Sequence, residues 1–132
     1  MFILRQNLEV IVTTTPPKQR SSTADRRRVP RFPFVASAEV VEKMSGVQMI
    51  VRVTELSLYG CYLDMPNPLP SGSQVFVKIF TGTDFFEAEA GVVYSQPNLG
   101  VGLAFRNVEP SFLPTLKRWL HEAMLELLKS RH

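Results

Sequence analysis

The sequence predicts an all-β domain that carries one α-helix at its C-terminal end. Between Phe32 and Phe105, short runs of β-branched and aromatic residues alternate with polar ones and are cut by Gly, Pro and Asn; this is the period-two mark of half-buried strands. After Pro110 the period changes. Leu116, Trp119, Leu120, Ala123, Met124, Leu127 and Leu128 form one stripe at helical spacing, with Lys117, Arg118, Glu122, Glu126 and Lys129 largely opposite. A chain of 132 residues has room for one such core and its arms.

Residues 32–44 and 47–54 read as a hairpin around Ser45-Gly46, with Val47, Met49, Val51 and Val53 alternating against Gln48, Ile50 and Arg52. Residues 61–65, 75–80, 85–94 and 99–105 are the further strands, separated by residues 66–72, 81–84 and 96–98. Short strands at such regular spacing suggest a barrel or a sandwich. Val75, Val77 and Ile79 share one face, and Glu87 and Glu89 alternate with Ala88 and Ala90. Gly91, Gly100 and Gly102 are candidates for bends or bulges. The helix is expected from about residue 111 to 129, with Ser111 accepting from a first-turn amide and Pro114 tolerated near the start. Its apolar stripe is expected to pack on the barrel; the alternative use of its Trp and Met residues is a protein partner.

With 45% hydrophobic and 20% charged residues, neither a disordered nor a fibrous chain is indicated. A net charge of +3 is too small to argue for nucleic-acid binding by itself. Position says more, because Arg20, Arg26, Arg27, Arg28 and Arg31 fall in one stretch ahead of the first convincing strand and suggest a local anion site. Residues 1–12 read as a weak strand or a tail, and residues 13–25, rich in Thr, Pro, Ser and Lys, as a mobile linker. The lone Cys61 lies in an apolar run, fitting a buried structural thiol in a reducing cytoplasm. No run is long enough to span a bilayer, and residues 2–4 are too short for a signal-peptide core. His121 and His132 have no companion ligands at metal spacing, and Ser57 has no His and acid in a triad pattern. The expected class is therefore a cytoplasmic binding module with no metal and no catalytic residue.

Two motifs flank the first hairpin: Arg27-Arg28-Val29-Pro30-Arg31 before it and Glu55-Leu56-Ser57-Leu58-Tyr59-Gly60 after it. Together with the glycine-bounded ending Gly91-Val92-Val93-Tyr94 and Leu99-Gly100-Val101-Gly102-Leu103-Ala104-Phe105, they resemble the PilZ family. That family combines an Arg-x-x-x-Arg segment with an Asp/Asn-x-Ser-x-x-Gly segment. The resemblance implies a six-stranded antiparallel β-barrel in a domain at residues 26–132; residues 1–25 are then the arm that composition marks as flexible. It also implies a bacterial receptor for cyclic di-GMP, without a further cofactor, coupling messenger level to a protein partner in motility, pilus, polysaccharide or biofilm machinery. The implied ligand-binding residues are Arg26, Arg27, Arg31, Glu55, Ser57 and Gly60.

The residue chemistry suits such a ligand, which offers two phosphodiester anions and two guanine bases. A guanidinium pairs with phosphate through two bonds, reaches guanine O6 and N7, or stacks on a purine. Pro30 and Pro33 discourage a helix through Arg31, so the arginines are expected on an extended or turning arm that forms a clamp. Ser57 can give or accept a hydrogen bond, and Gly60 is expected to take backbone angles closed to other residues and bring a turn near the ligand. Glu55 stands where the family has Asp or Asn; it can accept from guanine N1–H and N2–H, but its extra methylene moves the oxygens outward. By resemblance, Arg26 adds a donor suited to a stacked dimer of the nucleotide.

Three other readings compete. The arginine run can be a solvated arm, with Ser57 and Gly60 a plain turn and Glu55 a solvated strand end. The domain can be a degenerate PilZ-like module that works through protein contact without nucleotide. It can also be a small barrel binding nucleic acid through its basic arm, against which the strands show no evident row of exposed aromatics.

Overall fold

The structure is a computed structural model in which residues 29–130 are described. Alternating burial builds the six strands β1 (Phe32–Glu42), β2 (Gln48–Leu56), β3 (Gly60–Asp64), β4 (Gln74–Thr81), β5 (Asp84–Gln96) and β6 (Gly100–Asn107). They close into a barrel in the order β1-β2-β3-β6-β5-β4, and every neighbouring pair is antiparallel. Closure comes from β1, which pairs with β4 in register Val40↔Val77 while pairing with β2 in register Val40↔Met49. The choice between barrel and sandwich is thereby decided, and among the described residues no sheet edge is left open.

The inward set is aliphatic and tight: Val40, Val53, Leu56, Leu63, Val75, Ile79 and Val101 are all fully buried. Tight turns deliver this register. At the β1–β2 turn Gly46 takes φ +74°, its N–H donates to the Glu42 carbonyl at 2.8 Å, and Glu42 N–H donates to the Val47 carbonyl at 2.9 Å. The Glu42 carboxylate accepts from the Ser45 hydroxyl and from the Ser45 and Met44 amides, and these bonds hold its pKa below the ordinary value.

Two register shifts matter for function. Between Val53 and Glu55 on β2, and between Val92 and Tyr94 on β5, one residue has no partner of its own across the strand pair. Strict alternation would turn Glu55 inward after Val53 and Tyr94 inward after Val92. The extra residue flips both to the outer face, and Leu56 rather than Glu55 enters the core.

A 3-10 turn (Pro110–Phe112) leads into α1 (Leu113–Lys129), which packs against β1 and β5. Ser111 does not cap this helix. It lies within the 3-10 turn, the N-cap position falls to Phe112 without a side-chain bond, and proline in the first turn lacks an N–H to be capped. Leu116 and Trp119 are buried, with the Trp119 ring 5.4 Å from Phe34. Phe112 stacks its edge on Phe86, which meets Phe105 at 5.1 Å. Arg118 ties the helix to Asp84 at the start of β5 through a 2.5 Å ion pair. The expected stripe is only half used as core: Leu120 is half-buried against the barrel, whereas Met124 and Leu128 are exposed. The anticipated arm at residues 1–25, together with Arg20, Arg26, Arg27, Arg28 and His132, lies outside the described residues.

Candidate ligand site

The outer face of β6 reads Gly100, Gly102, Ala104, Arg106 at period two. Three small residues in a row leave a shallow gap in the side-chain layer, and neighbouring strands supply its walls. The result is a cavity of about 400 Å³ lined by Arg31, Glu55, Ser57, Tyr59, Gly60, Tyr62, Tyr94, Gly102, Ala104 and Arg106 among others. Its size lies at the lower end of the range of small-molecule sites.

Close approach, not unusual backbone angles, explains the glycines. The described glycines with positive φ are Gly46, Gly72 and Gly82, so the expectation for Gly60 is corrected: its φ is ordinary. A Cβ on Gly60 would stand 2.0 Å from the Leu103 carbonyl oxygen, and one on Gly100 would stand 2.1 Å from that of Leu63. These contacts join β3 to β6. At Gly102 the obstacle is different, because a Cβ would fall 2.3 Å from the Tyr94 ring. The glycine lets the tyrosine lie flat across its strand neighbour.

Of the six residues named from sequence as ligand-binding, Arg31, Glu55, Ser57 and Gly60 line this one cavity, while Arg26 and Arg27 lie outside the described residues. Arg31 precedes β1 without regular structure and is exposed. Glu55 is exposed on β2 opposite Tyr62. Ser57 is engaged within the turn: its N–H donates to the Gly60 carbonyl at 2.9 Å, its hydroxyl donates to the same oxygen at 3.3 Å, and it accepts from Tyr59 N–H at 3.2 Å. One acceptor lone pair of that hydroxyl stays unused by these bonds.

Sequence reasoning missed Tyr59, Tyr62, Tyr94 and Arg106 as members of the site. The Tyr62 and Tyr94 rings sit 6.1 Å apart, tilted by 31°. The Tyr62 hydroxyl donates to Gln96 Oε1 at 2.6 Å. Burial first, then the neighbouring Tyr94, Asp64 and Glu55, push the Tyr62 phenol above its ordinary pKa. A usable signal was present in the Gly100-x-Gly102-x-Ala104 alternation, since small residues on one strand face commonly accommodate an aromatic side chain from the next strand.

The charges of the cavity are unspent. Elsewhere on the surface Lys43 pairs with Glu89 at 2.6 Å and Arg52 meets Asp64 at 3.5 Å, but among the described residues Arg31, Glu55 and Arg106 have no ion pair. Two guanidinium groups, a carboxylate and flat aromatic faces around a trough can bind an anionic, hydrogen-bonding planar ligand. Among the described residues no group of His, Cys, Asp and Glu is arranged to hold a metal ion, and no helix is long and apolar enough to cross a membrane.

No curated protein sequence matches the chain. Among solved structures, the PilZ domain with c-di-GMP of YcgR from Escherichia coli is similar with a TM-score of 0.64 at 16% identity, over 80% of this chain and 97% of that one. The inhibitor of motility MotI/DgrA from Bacillus subtilis gives 0.63 at 17% identity, over 81% of this chain and 54% of that one, so the present chain spans about half its length. The PilZ domain of CeSA from a cellulose synthesizing bacterium gives 0.54 at 15% identity, over 67% and 92%. At such identities these likenesses speak for the shared barrel. The profile of the PilZ domain covers residues 25–122, and the chain belongs to the PilZ domain family, a family of cyclic di-GMP receptors.

Proposed function

We propose that the protein is a cyclic di-GMP receptor module that couples the level of this messenger to a protein partner in the bacterial cytoplasm, and that it is not an enzyme. The observation that carries this reading is the convergence of two motifs, separated by a whole hairpin, on one trough: Arg31 from the first and Glu55, Ser57 and Gly60 from the second. Arg26 and Arg27 complete the clamp from the preceding segment. The arginines pair with phosphate or the guanine Hoogsteen edge, and Glu55 accepts from guanine N1–H and N2–H. Gly60 keeps the β3–β6 seam closed under the ligand, and Ser57 fixes the turn that carries it.

Binding is expected to order residues 20–31 against the barrel and so change the surface a partner meets. The PilZ domain of YcgR is described with c-di-GMP, MotI/DgrA as an inhibitor of motility, and CeSA as coming from a cellulose synthesizing bacterium, which supports an output of the motility or polysaccharide kind.

A second reading is a degenerate module that contacts protein without nucleotide. It is favoured by Glu55 in the Asp/Asn position and by the engagement of Ser57 within its own turn. Calorimetric titration separates the two. Saturable binding of cyclic di-GMP, with GMP and cyclic di-AMP much weaker, is the expected result. Absence of heat at high micromolar ligand, followed by recovery in Glu55→Asp, would move the natural protein to the second reading.

A further inference from the structure

Arg106 belongs to neither motif, yet its position on β6 is built. It is the fourth outward residue of the strand, after Gly100, Gly102 and Ala104, so it stands at the end of the trough floor. Its guanidinium does not reach out to the nearest strand-partner acid. Glu89 is already engaged, by Lys43 at 2.6 Å and by Asn107 at 3.5 Å. Instead the Arg106 side chain lies over Gly91: a Cβ there would stand 3.0 Å from Nε and 3.2 Å from Nη2. Gly91 pairs with Ala104, two residues back along β6. The guanidinium is therefore folded back toward the small-residue floor, in a slot that exists because Gly91 has no side chain.

We propose that Arg106 is a ligand-binding arginine of this site, held by the Gly91 slot so that its donors face hydrogen-bond acceptors of the bound cyclic dinucleotide. The inference rests on the reading of the trough as the nucleotide site and adds a second cationic end to it. Arg31 enters from the β1 side and Arg106 from the β5–β6 side, so the trough carries guanidinium groups on two walls. A two-fold symmetric dianion offers acceptors toward both. Arginine suits the slot because its planar fork lies flat against the glycine backbone and still presents donors along one edge.

The test measures cyclic di-GMP affinity by calorimetry in wild type, Arg106→Ala, Arg106→Lys, Gly91→Val and Arg31→Ala, with circular dichroism of each. Arg106→Ala is expected to lose about tenfold to a hundredfold in affinity at unchanged fold. Arg106→Lys, which keeps the charge but not the fork, should fall between Arg106→Ala and wild type. Gly91→Val is the independent arm, since it leaves Arg106 in the sequence but fills its slot with a residue well suited to a strand; it should weaken binding in the same direction. Affinity of Arg106→Ala within twofold of wild type, while Arg31→Ala loses binding, would overturn the assignment of Arg106 and leave the nucleotide site standing. Failure of wild type to bind would overturn both. Should Arg106→Ala fail to fold, the Arg106→Lys and Gly91→Val affinities decide, and wild-type values for both would refute the proposal.

Discussion

A single methyl group on Gly60 is expected to open the seam between β3 and β6. The added carbon would stand 2.0 Å from the Leu103 carbonyl oxygen and 3.1 Å from its carbonyl carbon. Relief requires β6 to retreat by about 1 Å or more, because non-bonded heavy atoms settle near 3.5 Å. The backbone cannot yield that distance locally, since Gly60↔Ala104 and Cys61↔Leu103 pair there and Phe105 N–H donates to the Tyr59 carbonyl at 2.8 Å. Overpacking costs about 1–3 kcal/mol, and one or two weakened ladder bonds add about 1 kcal/mol each. The sum is roughly 2–5 kcal/mol, a large part of the 5–15 kcal/mol typical of a domain. With a urea slope of about 1.5 kcal/mol/M, the midpoint of Gly60→Ala should fall by roughly 1–3 M. Gly102→Ala is the control, because its obstacle is the partly exposed Tyr94 ring, which can swing aside; it should cost less than about 1.5 kcal/mol. A Gly60→Ala midpoint within experimental scatter of wild type, or equal losses for both variants, would refute the reasoning.

Three further outcomes are expected. Arg27→Ala and Arg31→Ala should each weaken cyclic di-GMP binding by about tenfold to more than a hundredfold, while Arg20→Ala, removing the same charge from the same segment, should change it little; equal affinities at unchanged circular dichroism would show that the clamp is misplaced. Amide hydrogen exchange across residues 20–31 should slow at saturating ligand, and unchanged protection would defeat ordering on binding. Burial pushes the Cys61 thiol up to about 12, so it should resist thiol reagents at pH 8 in the folded protein and react only when the barrel opens. Because the folded thiol titrates above the ordinary value of ~8.5, its contribution is complete below that pH and is lost as pH rises toward 12, so stability should decline in alkali. Cys61→Ser should flatten that decline, and rapid labelling without unfolding would contradict the assignment.

The strands and the helix were legible because they depend on local period. Val75, Val77 and Ile79 announce a buried face within five residues of sequence, and Leu116 with Trp119 does the same for the helix. Closure of β1 on β4 was open to two readings, since a barrel and a sandwich share the same alternation and differ only in a non-local pairing. The motif half of the site was legible through Arg31, Glu55, Ser57 and Gly60. Its aromatic half was hidden by the register shift ahead of Tyr94, which turns to the surface a side chain that strict alternation assigns to the core. The same device exposes Glu55 on β2. Arg106 was hidden for another reason, since its meaning depends on a glycine fifteen residues earlier that lies on the paired strand. The role of Gly60 was misjudged in kind: a turn was expected to need special angles, whereas the crowding comes from β6, more than forty residues later.

The central claim is that the trough on the outer face of β3 and β6 holds the nucleotide. It is tested most directly by following backbone amide shifts of the labelled protein during titration with cyclic di-GMP. Saturable shifts concentrated at residues 31, 55–62, 91–94 and 102–106 are the expected result, with the β1–β4 face and the end of α1 largely unmoved. Shifts centred on the β1–β4 face or on the helix, or none at millimolar ligand, would contradict it.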